Sequence, residues 1–327
     1  MTNLVIKDII PLGFMWPVRN PFLFCAHHLD NYPAGNERME PVESLQGRNI
    51  GNDFTIKDGW RMYHGDKIPG FPVHPHRGFE TVTIVMEGFV DHSDSHGQAG
   101  RYGAGDVQWM TAGAGLQHSE MFPLLKTGER NPLELFQVWL NLPKSRKFAD
   151  PHFKMLWREQ IPQHKLTGKN GSSVTINIIA GELGGIKAPD PAPDSWAAFP
   201  ENRVQIWTVK MEKGSDWILP VADEKDLPVA GENIVRSIYF YRGGSILVNG
   251  TEVKAGNAID LFPGEEVMLE SKDGDNLFLF LQGVPIDEPV AQYGPFVMNT
   301  QREITEAIRD YRETGFGGWP WPRNDNV

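Results

Sequence analysis

The chain is broken into short apolar runs, at 79–86, 106–110, 133–142, 174–180, 204–211, 234–241, 258–262 and 276–281, with turn-forming residues between them. Runs of this length, rich in β-branched and aromatic residues, fit strands rather than helices. Gly103-Ala104-Gly105-Asp106, Asn249-Gly250 and Pro263-Gly264 supply the positive φ or fixed φ that hairpin turns demand. With 34 glycines and 25 prolines, the composition also opposes long helices, so an all-β chain is predicted.

Residues 241–268 read as four strands joined by Asn-Gly, Ala-Gly and Pro-Gly turns, and 86–116 repeat that rhythm. In each half a glycine introduces a matching strand, Gly105-Asp106-Val107-Gln108-Trp109 and Gly256-Asn257-Ala258-Ile259-Asp260. This self-similarity predicts an internal duplication, and 327 residues is long for one hydrophobic core. Basic and proline residues at 143–151 interrupt the apolar pattern, so the boundary is expected there, giving an N-terminal domain of 1–143 and a C-terminal domain of 144–327. The four prolines of 187–200 predict an extended surface loop. Ile304, Ala307, Ile308 and Tyr311 fall at helical spacing before Gly315, which predicts one amphipathic helix over 301–314 packed across a barrel. The tail beyond it, with Trp319 and Trp321, is expected to pack on the surface or on a second copy of the chain.

The formal charge of −11 opposes a phosphate-tracking surface, so direct nucleic-acid binding is not expected. Cys25 is the single cysteine, which excludes an intrachain disulfide and a multi-cysteine zinc site. It is read as a small buried hydrophobe. The first residues lack the basic start and unbroken apolar core of a secretory signal, and no stretch approaches the roughly 20 apolar residues of a membrane helix. A soluble cytoplasmic protein is expected.

All ten histidines lie at or before His164, so the sequence predicts a second barrel without any. His74 and His76 are two residues apart, and on an extended strand their side chains leave the same face. His118 and Glu120 repeat that relation on a later segment. Two such pairs on neighbouring strands would enclose one metal ion with three imidazoles and a carboxylate.

The stretches G-F-P-V-H-P-H-R-G-F-E-T-V-T (70–83) and G-D-V-Q-W-M-T-A-G-A-G-L-Q-H-S-E-M (105–121) resemble the two cupin motifs of the pirin family. Residues 20–23, 137–143, 179–182 and 296–300 extend the resemblance along the chain. It implies two cupin (jelly-roll type) β-barrels in tandem with a C-terminal α-helix, and a metal, usually iron, held by His74, His76, His118 and Glu120. Glu80 stands where general cupins carry a ligand in the first motif, which makes it the alternative carboxylate. Three imidazoles with a carboxylate and no thiolate suit Fe(II) and tolerate Mn, Co, Ni, Cu or Zn, and the resemblance favours iron.

The resemblance further implies quercetinase-type dioxygenation, which opens the ring of a flavonol with dioxygen. Glu120, or Glu80, would then take the substrate's hydroxyl proton as the catalytic base. Phe79, Trp109, Met110 and Phe136 are candidate walls for such an aromatic substrate. The alternative it implies is a non-catalytic, redox-sensing iron protein that acts on a protein partner. His92 and His96 are expected to be solvated, and His27, His28 and His64 to be packing or surface residues.

Overall fold

The computed structural model describes residues 5–168, 171–222 and 234–325. Its chain contacts form two compact units, one of Ala26–Arg158 with Glu288–Val327 and the other of Met1–Cys25 with Glu159–Asp287.

The first unit is a pair of antiparallel sheets. One runs in the order His152–Leu156, Val107–Thr111, Phe79–Glu87, Asn131–Asn141, Phe22–Tyr32, and the other in the order Gly70–His76, Leu116–Met121, Phe89–Asp94, Ala99–Gly103. The second unit repeats both orders. Ile6–Pro11, Asn257–Leu261, Val235–Arg242, Asn276–Gly283 and Gln205–Met211 form one sheet, which Ser173–Ala180 and Gln163–Thr167 extend. Asp216–Leu219, Val267–Ser271, Ser245–Val248 and Thr251–Lys254 form the other. The matching strand orders are the structural form of the duplication read from the sequence. The expected turns are present: Ala104 (φ 51°) and Asn249 (φ 44°) both adopt the left-handed region beside a glycine.

The division differs from the one expected at 143/144. Residues 152–156 pair with Val107–Thr111 as an edge strand, which keeps them in the first unit. Lys147, within the segment read as an exposed connection, is buried instead. Its ammonium donates to the carbonyls of Gly78 (2.9 Å) and Val297 (3.1 Å) and to Asn141 Oδ1 (2.8 Å), and burial lowers its pKa to about 8. The helix is also reassigned. Gln301–Thr314 is capped by reciprocal hydrogen bonds between Thr300 and Glu303 and ends at left-handed Gly315. It buries Ile304 and Ala307 against Phe296 and Met298 in the first unit.

The two interiors differ in chemistry. In the second unit Trp207, Ile238, Phe240, Leu269, Phe278 and Phe280 belong to one apolar cluster. This unit is not free of histidine as expected, because the edge strand Gln163–Thr167 carries His164, far from any metal-ligand pattern. The 187–200 segment contributes to no large sheet, yet Ala192 and Ser195 within it are fully buried. Among the described residues no helix is long and apolar enough to cross a membrane.

Candidate metal centre

Gly70–His76 and Leu116–Met121 pair antiparallel, with His74 directly opposite His118. Directly opposed residues share a face of the sheet, and His76 lies two residues along on that same face. A register irregularity between Phe71 and His74 locally bends the strand as the histidines are reached. At Gly70 (φ 131°) a Cβ would fall 2.5 Å from the carbonyl oxygen of Glu120, so this close strand approach requires glycine.

The result is a cluster in which one ligand atom from each of His74, His76 and His118 lies within 4.8 Å of the others. The ring centroids are 4.4 Å apart for His74 and His118, and 4.8 Å for each pair that includes His76. His74 Nδ1 is 2.9 Å from the carbonyl oxygen of Pro72, an acceptor that requires Nδ1–H and leaves Nε2 with its lone pair. Burial pushes all three imidazoles down, His74 to about 4, so they are neutral donors at pH 7.

Glu120 is held beside them, with Oε2 3.7 Å from His118 Nε2. The Gln137 amide donates to Oε2 at 2.8 Å, and the Thr83 hydroxyl lies 3.1 Å from Oε1. Burial raises the Glu120 carboxyl to about 7, against the pull of those two hydrogen bonds.

The donor set fits a transition metal. Both ring nitrogens of His118 are buried without a hydrogen-bond partner. Orphaned buried nitrogens are costly, and a metal ion turns that cost into coordination. At the equivalent opposed positions of the second unit stand Trp217 and Leu269, both in its apolar core, and among the described residues that barrel carries no such centre.

Strand pairing sorts the remaining candidates. Thr83 reaches Glu120, so the face shared by Thr81 and Thr83 and by the residues opposite them, Met110, Gln108, Trp139 and Gln137, looks toward the centre. Glu80 has the other parity and accepts from the Thr111 hydroxyl at 2.7 Å; the structure does not bring it to the histidines. Trp109 and Phe136 share that opposite face, and Phe136 stacks on His27 at 4.7 Å instead. Phe79 does reach the site, 5.1 Å from His76, and Met110 lines a cavity of about 250 Å3 with Leu116 and Phe153.

Sequence reasoning missed Trp139, which lies 5.4 Å from His76 and 4.3 Å from Phe79. It also missed the Thr83 and Gln137 pair. His92 is corrected as well. It is 1% exposed, stacked on Phe153 at 4.9 Å, and 5.6 Å from the His118 ring. His96 and His64 are exposed, His28 packs among Tyr63 and Phe71, and buried Cys25 has its thiol pushed up.

The motif flanks are tied to the C-terminal segment. Arg77 donates to Asp310 at 2.9 Å, Tyr311 donates to Gln117 Oε1 at 3.0 Å, and the Trp321 indole donates to the Asp94 carbonyl at 2.8 Å. The tail therefore packs on the surface of the first barrel; Asn326 and Val327 lie outside the described residues.

Residues 19–140 match the Pirin family model and residues 215–317 the model of the Pirin C-terminal cupin domain. Rat pirin is 33% identical over 294 residues, covering 86% of this chain and 91% of the rat protein. Pirin-like protein 2 of Arabidopsis thaliana is 35% identical over 247 residues, covering 74% and 69%. The crystal structure of a quercetin 2,3-dioxygenase from Acinetobacter baumannii superposes with a TM-score of 0.72 at 28% identity, covering 96% of this chain and 98% of that one. With a cupin barrel in each unit and family matches in both, the chain belongs to the pirin family.

Proposed function

We propose that the chain is an iron-dependent dioxygenase of the quercetinase type, with His74, His76 and His118 as metal ligands and Glu120 as the fourth. The observation that carries this reading is the cluster of three neutral imidazoles, His76 and His118 buried and His74 half-buried, beside a carboxylate of raised pKa. The likeness to the Acinetobacter baumannii quercetin 2,3-dioxygenase supports the substrate class, an aromatic flavonol-like compound with dioxygen. Mn, Ni, Co, Cu or Zn would satisfy the same donors.

When bound, the metal supplies open positions at which a substrate oxygen and dioxygen can meet. The chain's own residues supply the acid–base work. Glu120 would accept the proton of a flavonol hydroxyl and return it later. Gln137 and Thr83 fix its direction. Phe79 and Trp139 offer aromatic surface beside His76 for the substrate rings.

Oxygen uptake and carbon monoxide release with quercetin, using protein purified anaerobically and loaded with iron, test the reading. Turnover that depends on iron and is lost in Glu120→Gln supports it. The complete burial of His118 favours a second reading, a non-catalytic iron protein acting through a protein partner. Iron bound at full stoichiometry with no turnover across a flavonol panel would favour that one.

A further inference from the structure

The second barrel holds a cavity of about 440 Å3, a size typical of small-molecule sites, for which the metal chemistry has no use. Arg236 contributes to its lining. The side chain is 2% exposed; Nη2 donates to the Pro220 carbonyl at 2.6 Å, while Nε and Nη1 have no hydrogen-bond partner. Among the described residues no carboxylate pairs with it. Burial lowers the guanidinium to about 10, so it remains a cation at neutral pH. A buried, uncompensated cation is expensive unless an anion completes it.

The position of Arg236 in the duplicated fold gives this meaning. Gln108 and Ile259 are each the third residue after a turn glycine, Gly105 and Gly256, and they pair with Thr83 and Ile238. Two residues earlier on those partner strands stand Thr81 and Arg236, whose neighbours on the other side are Trp139 and Gln282. Trp139 touches His76 at the metal centre. Arg236 and Gln282 thus occupy, in the second barrel, the place that forms a wall of the metal centre in the first.

We propose that the second barrel binds a small organic carboxylate, with the Arg236 guanidinium as its anchor and the Trp207 indole as an apolar wall. A guanidinium fork matches the two oxygens of a carboxylate. Trp207, Phe199 and several prolines line the cavity, so an apolar body on that carboxylate would be accommodated. The other cations of the lining are offset by its carboxylates, as in the Lys187–Asp190 pair at 3.5 Å, which leaves one uncompensated charge and favours a monoanion over phosphate.

Calorimetric titration of the intact metal-loaded chain with benzoate, cinnamate and hexanoate, with inorganic phosphate as control, tests this. At least one carboxylate should bind one per chain. Arg236→Met should weaken that binding by about tenfold or more, because a charge-assisted hydrogen-bond pair is lost. Arg236→Lys, which keeps the charge without the fork, should weaken it less. The melting temperature of Arg236→Met should not fall, since a buried unpaired charge has been removed. His118→Ala should leave the binding unchanged, separating this site from the metal centre. Absence of binding by all three carboxylates, unchanged binding in Arg236→Met, or phosphate binding as tightly as the best carboxylate would overturn the proposal.

Discussion

The side-chain amide of Gln137 donates to Glu120 Oε2 at 2.8 Å, from a strand that does not carry any of the clustered histidines. The Thr83 hydroxyl has one proton and two acceptors in reach, Glu120 Oε1 and Gln137 Oε1. When Glu120 is ionised the hydroxyl can donate to it; when Glu120 is protonated the hydroxyl can accept and turn its own proton to Gln137. The carboxyl can therefore change charge without leaving a buried polar group unpaired.

Metal uptake by the metal-free protein should depend on pH through Glu120 rather than through the histidines. His74 stays neutral down to about 4, whereas Glu120 takes up a proton as pH falls through about 7. Protons compete with the metal, so affinity should fall by about tenfold per pH unit below 7 if Glu120 is a ligand. Glu120→Gln should flatten the profile between about pH 4 and 7, the span between these groups. Competition titrations with a metal chelator over this range would read the slope. An unchanged slope in Glu120→Gln would remove it from the ligand set.

Gln137→Leu should move the same window upward. The variant removes a donor from the ionised carboxylate, and a hydrogen bond to a charged group is worth ~1.5 kcal/mol or more, about one pKa unit. The shift is measurable in the same titrations.

His74→Ala and His118→Ala should lose the metal and keep the fold. The cluster residues make few hydrogen bonds that the structure relies on, and the second unit has its own apolar core. Elemental analysis should fall to background while the far-UV circular dichroism spectrum is retained. Full metal stoichiometry in either variant would contradict the ligand assignment.

Lys147→Met should be costly although it lies far along the chain from either motif. It strands three buried acceptors, Gly78 O, Asn141 Oδ1 and Val297 O, which join the first motif to the segment before the helix. A loss of about 2–4 kcal/mol is expected in chemical denaturation. A change within about 0.5 kcal/mol would show that water replaces the ammonium.

What was legible in the sequence was local. The period-two relation of His74 to His76 and of His118 to Glu120 survives any long-range arrangement, and the glycine turns and the helical spacing before Gly315 act within a few residues. The face of Phe79–Glu87 was not legible, because seven successive residues are buried and no solvent-side polarity marks which parity faces inward. Glu80, Trp109 and Phe136 were therefore chosen from the wrong face, and Thr83, Gln137 and Trp139 overlooked. The edge of the first compact unit was not legible for a different reason. A stretch rich in lysine and proline looks exposed, but Lys147 is drawn inward by three oxygens and residues 152–156 close the edge of the first sheet.

The central claim is that one metal ion sits among three imidazoles of the first barrel. X-ray absorption at the metal edge, on protein purified anaerobically, measures its ligands directly. The account predicts one metal per chain with nitrogen and oxygen scatterers only, including the multiple-scattering signature of three imidazoles. Metal-free protein that cannot be loaded, or a spectrum that requires fewer than three imidazoles, would contradict it.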